Sequence, residues 1–512
     1  MELVYHNRVA RYIVSEGMYR FELKETFKNT ANILFPLFLK FFDNQPISTL
    51  INFDVLESEF MKYVKRERVV YRYLKKFLDG YNHDNMKDMV IFLVFKMFDI
   101  EVLFPIIADV LVNELFVDGH GRRIYIDHAL LGRRDTEILL NSRQISNLLL
   151  FIKVYGDTLI AGINPSAKID LRFHNQRLRI SVDSDRRGRV SIAIRKLSSI
   201  PPFFSLIRDV NNRKILSLIA TLMVFRPNIV IFGETGAGKT TLAGILLSIL
   251  PDSWRIITIE DVLEIPDKLI ENKRIVRILV PTFETRLVAP LSRNKFMVLK
   301  ETEIIKLLHR SPDFCFISEI QDASDTRAIF HAFAAGIRGI ATTHARDIYG
   351  LLNRWMGIYN IPSEWVHLID ILIFMVRELH GGGIRRSIGS VYIPINASSG
   401  SALVRDDLFL TYTIKNRRIE FINIPLSNAF SLEYIKKILS VFFLKRLNRP
   451  CNRKIGTLVE LFNNIYNALG KMLKLIGGQG FSIDDSLQER AFTIFRDIAK
   501  KIEKTINETL MC

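Results

Sequence analysis

The pattern of apolar and polar positions changes several times along the chain. Between Val55 and Leu78 apolar residues recur every three or four positions, which is typical of an amphipathic helix. Phe, Leu, Lys and Glu are abundant around it, and we predict a helical accessory segment over residues 1–104. Two short β-rich runs then precede a helical stretch, Gln144 to Tyr155, and further strand-like runs. This order predicts an α+β domain over residues 105–196.

The central part of the chain has a different pattern. Consecutive prolines, Pro201 and Pro202, disfavour a helix and predict an interdomain linker over residues 197–212. Beyond it, the apolar runs NIVIFG, RIITIED, DFCFISEI and GIATTHA alternate with helical stretches. Such alternation indicates a mostly parallel sheet covered on both faces, so we predict an α/β domain over residues 213–395. Residues 396–512 are first β-rich and then helical, and are predicted to form a C-terminal extension.

Composition limits the class of protein. The chain of 512 residues has only three cysteines, Cys315, Cys451 and Cys512. Their wide spacing excludes a disulfide framework and a CxxC zinc module, and favours a reducing compartment. The most apolar window, Met89 to Val112, contains four charged residues and is predicted to be a buried helix, not a membrane span. The N-terminus lacks the features of a signal peptide, so we expect a cytoplasmic protein.

The formal net charge of +17 would attract nucleic acid or an anionic membrane face. The basic residues are spread widely along the chain, however, which favours an ordinary solvated basic surface. Nucleic-acid binding is therefore the less favoured interpretation of the charge.

The segment GETGAGKT fits the P-loop pattern GxxxxGK[ST] and lies between a strand-like run and a helical run. Its glycines let backbone N–H groups face phosphate oxygens, while Lys239 supplies charge to the β- and γ-phosphates and Thr240 a hydroxyl for Mg²⁺. The sequence thus predicts binding of ATP and Mg²⁺. The predicted nucleotide-binding residues of this segment are Gly233, Glu234, Thr235, Gly236, Ala237, Gly238, Lys239, Thr240 and Thr241.

Three other apolar runs end in polar residues that suit phosphate chemistry. Glu319 follows FCFIS and could hold the water shell of Mg²⁺. Glu260 and Asp261 end ITIED, where a carboxylate can orient an attacking water. His344 ends GIATTH and could sense the γ-phosphate. Taken alone, residues of these kinds are often structural.

In order, GETGAGKTT, ITIED, FCFISEI and GIATTHA resemble the Walker A, Asp box, Walker B and His box of the secretion ATPase superfamily, which includes archaeal pilus, archaellum and type II/IV secretion motors. Upstream, ELFVDGHGRRIYIDH, the Asn164-Pro165 segment and AIRK resemble the family's N-terminal domain. The resemblance covers residues 105–395. It implies a RecA-like P-loop ATPase domain preceded by a PAS-like α+β domain, with helical extensions at both ends.

The resemblance also implies roles and partners. Glu260 would be the catalytic carboxylate, Glu319 the Walker B residue at the metal, and His344 the His-box residue. Arg195 would help the N-terminal domain close on the nucleotide. The subunit would form a homo-oligomeric ring, a hexamer, that acts on a polytopic membrane platform protein and is peripherally associated with the membrane through it. The absence of a four-cysteine zinc module favours the archaeal branch.

Several positions depart from the family pattern, and the usual arginines are missing. We therefore expect slow hydrolysis that depends on Arg195, Arg286 or Arg310. Two alternatives stay open: a DNA-transfer translocase of the conjugation type, and a nucleotide-binding scaffold with weak hydrolysis. The departures are Ser318 for the glycine before the Walker B Glu, Gln321 for the arginine after it, Ile337 for the first His-box histidine, and His309 and Ser311 for arginines upstream of Walker B.

Overall fold

A computed structural model describes residues 3–7, 9–15, 17–46, 49, 53–66, 83–129, 131–155, 166–173, 176–184, 189–196, 206–207, 209–261, 263–280, 300–380, 383–395, 409–414, 417–425, 432–447, 452–474, 481–482 and 485–510. The chain divides into two compact units. Unit 1 comprises Met1–Pro202, Leu379–Ile384 and Ile476–Gln488, and unit 2 comprises Phe203–Glu378, Arg385–Leu475 and Glu489–Cys512.

Unit 1 is built on a ten-stranded sheet with the strand order β19-β1-β2-β3-β6-β5-β4-β9-β8-β7. Pairing is antiparallel except for β1 with β19 and β3 with β6. The strands are β1 Leu3–His6, β2 Ala10–Val14, β3 Met18–Leu23, β4 Val112–Val117, β5 Arg123–His128, β6 Gly132–Leu139, β7 Ser166–Phe173, β8 Gln176–Ser184, β9 Val190–Lys196 and β19 Phe481–Ser482. The helices are α1 Glu25–Phe42, α2 Phe53–Arg66, α3 His83–Met97, α4 Phe104–Ala108 and α5 Ser142–Tyr155.

The helical prediction for residues 1–104 is wrong for β1 to β3, which belong to the same sheet as the predicted α+β domain. In β2 the buried residues alternate over only five positions, which is too short to stand out in a segment rich in Phe and Lys. Strands β8 and β9 and helix α5 confirm the elements predicted for this region. The Asn164-Pro165 segment and both linker prolines lie outside the described residues.

A buried carboxylate joins the N-terminal strands to the rest of unit 1. Asp109, only 1% exposed, accepts hydrogen bonds from the hydroxyls of Tyr5 on β1 (2.6 Å) and Tyr19 on β3 (2.8 Å). Burial raises the pKa of Asp109, against the opposing effects of Lys196 and the tyrosine hydrogen bonds. The residues in these contacts are about ninety or more positions apart in the sequence, so no local sequence pattern predicts the contacts.

Unit 2 contains a nine-stranded sheet with the order β12-β11-β13-β14-β10-β15-β16-β18-β17. Every pairing from β12 to β15 is parallel, which confirms the predicted α/β class, whereas β18 pairs antiparallel with β16 and β17. The β-rich start of the predicted C-terminal extension therefore belongs to this same sheet. The strands are β10 Ile229–Gly233, β11 Arg255–Glu260, β12 Arg274–Leu279, β13 Phe314–Ile320, β14 Gly339–His344, β15 Ile371–His380, β16 Gly383–Ile395, β17 Phe409–Ile414 and β18 Arg417–Pro425. The last two residues of β15 and the first two of β16 are assigned to unit 1.

The helices of unit 2 lie between and after these strands. They are α6 Val210–Leu222, α7 Lys239–Ser248, α8 Asp267–Ile270, α9 Lys300–Arg310, α10 Ala323–Ala334, α11 Ile348–Leu352, α12 Leu432–Leu447, α13 Asn452–Lys474 and α14 Asp485–Leu510, the first residues of which belong to unit 1. Among the described residues, none of the helices combines the length and the apolar character needed to cross a bilayer.

The core of unit 2 lies between its central strands and the helices that cover them. Phe232, Ile257 and Ile317 from the strands pack with Ile329 of α10 and with Trp355. All five residues of β10 are buried, as expected for a central strand with helices on both faces. The three tryptophans of the chain, at positions 254, 355 and 365, all belong to unit 2. Intrinsic tryptophan fluorescence therefore reports on the unfolding of this unit.

Candidate functional site

The P-loop connects β10, which ends at Gly233, to α7, which begins at Lys239. Gly236 and Gly238 have φ values of +74° and +93°, a region that favours glycine over residues with a side chain. At Gly233 a Cβ atom would lie 2.2 Å from the carbonyl oxygen of Met375, so only glycine fits. The loop therefore has the tight curvature that a phosphate-binding turn at a helix N-terminus requires.

Lys239 lies largely inside this loop, with 6% of its surface exposed. Its Nζ donates to the carbonyl oxygens of Gly233 (3.1 Å) and Glu234 (2.9 Å), and lies 3.2 Å from Nδ1 of His344. Burial lowers the pKa of Lys239 to about 8, against the opposing charge of Glu319. A bound anion would favour the charged form and raise this pKa again.

Glu319 is brought to the P-loop by an irregularity in β13. The register of β13 with β14 shifts between Ile317 and Ile320, and Glu319 has a φ of +41°. Its amide donates to Oγ1 of Thr342 (2.9 Å), and its Oε1 lies 3.7 Å from Nε2 of His344. The interaction with His344 is the main reason that the pKa of Glu319 is lowered to about 2, against the opposing effect of burial. Glu319 is therefore a carboxylate at neutral pH.

Three of the predicted residues thus meet at one place: Lys239, Glu319 and His344. His344 ends β14 and lies opposite Gly233 in the β10–β14 pairing, so its imidazole lies beside the loop. Thr235 also approaches it, with Oγ1 3.4 Å from Nδ1. The other predicted loop residues follow the backbone: Glu234 is exposed, Ala237 is buried, and Thr240 and Thr241 lie partly buried in the first turn of α7.

Glu260 does not join this group directly. Its side chain is 0% exposed and receives hydrogen bonds from Arg277, at 3.1 Å to each carboxylate oxygen, and from Oγ1 of Thr258 at 2.8 Å. Burial raises the pKa of Glu260, while the charge of Arg277 opposes that rise. In this structure the predicted catalytic carboxylate is therefore fully engaged as one half of a buried ion pair.

The neighbouring acid, Asp261, is the Asp-box residue that is linked to Walker B. The Nζ atom of Lys300 lies 2.6 Å from its carboxylate and also donates to the carbonyl oxygens of Ser318 and Glu319, at 3.0 Å each. The hydroxyl of Ser318 accepts a hydrogen bond from the amide of Asp261 (3.1 Å). The serine that departs from the family pattern therefore connects the two motifs.

Two arginines at the P-loop were missed by the sequence analysis. Arg377 donates to the carbonyl oxygen of Thr235 (3.4 Å), and Arg386 donates to that of Gly236 (2.8 Å). Arg377 follows the apolar run of β15, which pairs parallel with β10, so the rule that polar residues gather at the carboxyl ends of parallel strands would have found it. Arg386 lies on the following strand, β16, where that rule gives no signal.

Arg310 lies at the opposite edge of the sheet, contrary to its expected place at the nucleotide. Helix α9 begins with Lys300 beside Glu319 at the carboxyl edge and ends with Arg310 just before β13 at the amino edge, about 15 Å away. The Arg310 side chain reaches back along α9, and its guanidinium pairs with Glu303 in the first turn of that helix (2.7 Å).

None of the remaining predicted residues that the structure describes is seen at the P-loop. His309 and Ser311 flank Arg310 at this amino edge, and Ile337 precedes β14 there. Arg195 is an exposed residue of β9 in unit 1. Arg286 lies outside the described residues.

The residues at the P-loop fit a nucleotide with Mg²⁺. Among the described residues, no group of three or more His, Cys, Asp and Glu side chains could hold a metal ion by itself. Mg²⁺ is usually held by one or two protein oxygens together with substrate phosphates and water, so a dedicated cage is not required. The hydroxyl of Thr240 and the carboxylate of Glu319 could supply such oxygens for Mg²⁺ beside the P-loop.

Comparison with known proteins agrees with this geometry. Residues 141–377 match the model of the family described as type II/IV secretion system protein. This part of the chain belongs to the type II/IV secretion ATPase superfamily. The match contains all four boxes, from the P-loop at Gly233 to the His box at His344.

Two curated proteins are similar to part of the chain. The competence protein ComGA of Streptococcus pneumoniae is 27% identical over 216 residues, which cover 40% of this chain and 59% of that protein. The type IV secretion system protein VirB11 of Bartonella quintana is 27% identical over 179 residues, covering 35% and 42%. The chain thus spans less than two thirds of either relative. Among solved structures, the ATPase DotB of Legionella pneumophila aligns with a TM-score of 0.40 and 17% identity, covering 61% of this chain and 84% of that one.

Replacing Arg277 with methionine should destabilise unit 2 by about 3–5 kcal/mol, because Glu260 would keep its buried charge without its partner. The deficit should shrink as the pH falls toward the unfolded-state pKa of about 4.3, since Glu260 is then protonated in the folded protein. Urea unfolding followed by tryptophan fluorescence at several pH values measures both effects.

The exposed Arg274 on the same strand provides the matched control, Arg274→Met, which should change stability by no more than about 0.5 kcal/mol. The double variant Glu260→Gln/Arg277→Met should recover most of the loss, because no buried charge is left. Equal stability of Arg277→Met and the wild type would show that Glu260 is not held by this ion pair.

Proposed function

We propose that this chain is an ATP-hydrolysing motor subunit that powers assembly of a type IV pilus-like filament, or secretion, through a membrane platform protein. The observation that carries the proposal is the meeting of Lys239, Glu319 and His344 at a P-loop on the carboxyl edge of a parallel sheet. A carboxylate and a buried ammonium at a phosphate-shaped turn are groups that phosphoryl transfer uses, and the imidazole contacts both of them.

Each group has a distinct task in this proposal. The loop from Gly233 to Thr241 holds the phosphates through its backbone, and Lys239 contributes positive charge to them. Thr240 and Glu319 supply oxygens for Mg²⁺, which neutralises charge on the phosphates when bound. His344 contacts both Lys239 and Glu319, so it is placed to respond when the charge beside them changes.

We retain Glu260 as the carboxylate that orients the attacking water. In the described state it is bound by Arg277 and Thr258, so it would have to exchange these partners before it could act. Glu319, whose low pKa keeps it ionised, is the alternative if Glu260 stays engaged.

The superfamily match of residues 141–377 and the names of the relatives support a role in transport across a membrane. We propose a cytoplasmic homo-hexameric ring in which Arg195 of the N-terminal domain approaches the nucleotide and hydrolysis moves that domain against the ATPase domain. The ring would act on a polytopic platform protein in the membrane and be attached to the membrane through it. The net charge of +17 favours DNA-stimulated hydrolysis as the second candidate, for a conjugation-type translocase.

Lys239→Ala should weaken the binding of a fluorescent ATP analogue in Mg²⁺ by about tenfold or more, because a charge-assisted contact to the phosphates is lost. Equilibrium titration measures the affinity. Lys436→Ala, an exposed lysine on α12, is the control and should bind as the wild type does. Unchanged affinity in Lys239→Ala would refute the assignment of this site.

Glu260→Gln should keep nucleotide affinity and lose most hydrolysis, because the amide preserves the shape of the side chain and removes the base. Phosphate release at saturating ATP, with and without DNA, measures kcat for this variant and for Glu319→Gln. Turnover by Glu260→Gln at the wild-type rate would transfer the role to Glu319. Hydrolysis stimulated by DNA in a strongly salt-dependent manner would favour the translocase instead.

Nucleotide should stabilise the ring, because a ligand that binds the assembled state more tightly shifts the equilibrium toward assembly. Light scattering with a saturating ATP analogue at high protein concentration should give a mass near that of six subunits. A strictly monomeric mass under these conditions would count against a ring motor. Absence of turnover in the wild type, even with a membrane partner supplied, would leave the scaffold as the better interpretation.

A further inference from the structure

We propose that Lys300 is a positioning residue that holds the Walker B glutamate, Glu319, in its working conformation. The proposal rests on the function proposed above. Lys300 is the first residue of α9, and its Nζ atom contacts the Asp box and both carbonyl groups of the irregular turn at Ser318 and Glu319. No sequence motif led to this lysine.

The irregularity in β13 leaves backbone carbonyl groups that need hydrogen-bond donors from outside the strand. Where the register shifts between Ile317 and Ile320, the carbonyl groups of Ser318 and Glu319 accept from Lys300 at 3.0 Å each. The Glu319 amide is satisfied separately, by Oγ1 of Thr342. Backbone polar groups removed from water need such partners, so one ammonium group satisfies both carbonyls of the turn.

The third contact of the ammonium group is the carboxylate of Asp261, at 2.6 Å. An ammonium group has three N–H donors, and here they have three distinct acceptors in two different motifs. Both side chains of the ion pair are only 8% exposed, so the attraction between them is weakly screened by solvent. The position of Lys300 is therefore tightly specified.

The backbone of Glu319 needs support of this kind. A φ of +41° is sparsely populated for a residue with a side chain, and it persists only where the surroundings enforce it. The conformation points the carboxylate toward His344, at 3.7 Å. Without Lys300 the turn would lose two of its hydrogen bonds, and β13 would be free to return to regular pairing.

Lys300 also supplies a positive charge beside Walker B, where the family pattern has an arginine. In this chain Gln321 occupies that position and donates a neutral hydrogen bond to Oε2 of Glu319 (3.1 Å). The cation at this edge of the sheet comes instead from the start of α9. We infer that Lys300 offsets the missing arginine as far as the positioning of Glu319 is concerned.

Lys300→Met tests the proposal. Lys306→Met is the control, because Lys306 lies on the same helix, is half-exposed to solvent and pairs with Glu303. Amide hydrogen exchange over residues 314–322 should become about tenfold faster or more in Lys300→Met, since the turn opens more readily. The kcat for ATP should fall about tenfold or more, because small misplacements of a catalytic group are costly. Affinity for an ATP analogue should stay within about threefold of the wild type.

A second pair of variants separates the lysine from the charge of its partner. Lys300→Met leaves Asp261 buried without its cation and could prevent folding, whereas Lys300→Met/Asp261→Asn removes both charges. The double variant should show the fast exchange, while Asp261→Asn alone, which keeps both carbonyl contacts, should exchange as slowly as the wild type.

Wild-type exchange over residues 314–322 in both Lys300 variants would overturn the proposal. The exchange measurement does not require turnover, so it remains decisive if the wild type proves unable to hydrolyse ATP. In that case the proposed function fails and the positioning role of Lys300 is judged separately. An active wild type with unchanged kcat in the double variant would contradict the positioning role alone.

Discussion

The site depends on the parallel register of β10 with its two neighbours. Gly233 lies opposite His344 on β14 and opposite Met375 on β15. Because side chains alternate between the faces of a strand, a slip of one residue would turn His344 to the other face. The 2.2 Å approach of the Met375 carbonyl to a Cβ at Gly233 also requires the chain to leave the sheet at a glycine. Strand pairing thus brings the loop and the imidazole together before any ligand is considered.

Two adjacent acids connect this edge of the sheet to its surroundings. Glu260 pairs with Arg277 on the outer strand β12, and Asp261 pairs with Lys300 at the start of α9. A buried ion pair adds little net stability compared with apolar packing, but removing one partner lowers the stability strongly because the other charge stays buried and unpaired. Such pairs therefore specify position more than they stabilise the fold. Here they hold β12 and α9 in a defined place relative to Walker B.

The sequence predicts the parts of this site for which a general rule relates position along the chain to position in the fold. The P-loop is predicted by its own motif, and Glu319 and His344 by apolar runs that end in polar residues. Because the carboxyl ends of parallel strands meet at one edge, these runs also predict that both residues lie near the loop. Lys300 and Arg386 are not predicted, because lysine and arginine are common and only the folded chain shows which ones reach the loop. The strands β1 to β3 were missed because they are short and because Tyr5 and Tyr19 meet Asp109 across about ninety residues or more of sequence.

The departures from the family pattern have different consequences at the two edges of the sheet. His309, Ser311 and Ile337 lie at the amino edge, about the length of α9 from the subunit's own P-loop, so their effect on that site can only be indirect.

Ser318 and Gln321 lie at the carboxyl edge, where each makes a hydrogen bond to the Asp box or to Glu319. The loss of arginine is thus a local change of charge only at Gln321, where Lys300 already provides a cation. The substitutions at the carboxyl edge should therefore be judged by the chemistry at the P-loop, and those at the amino edge by the assembly of the ring proposed above.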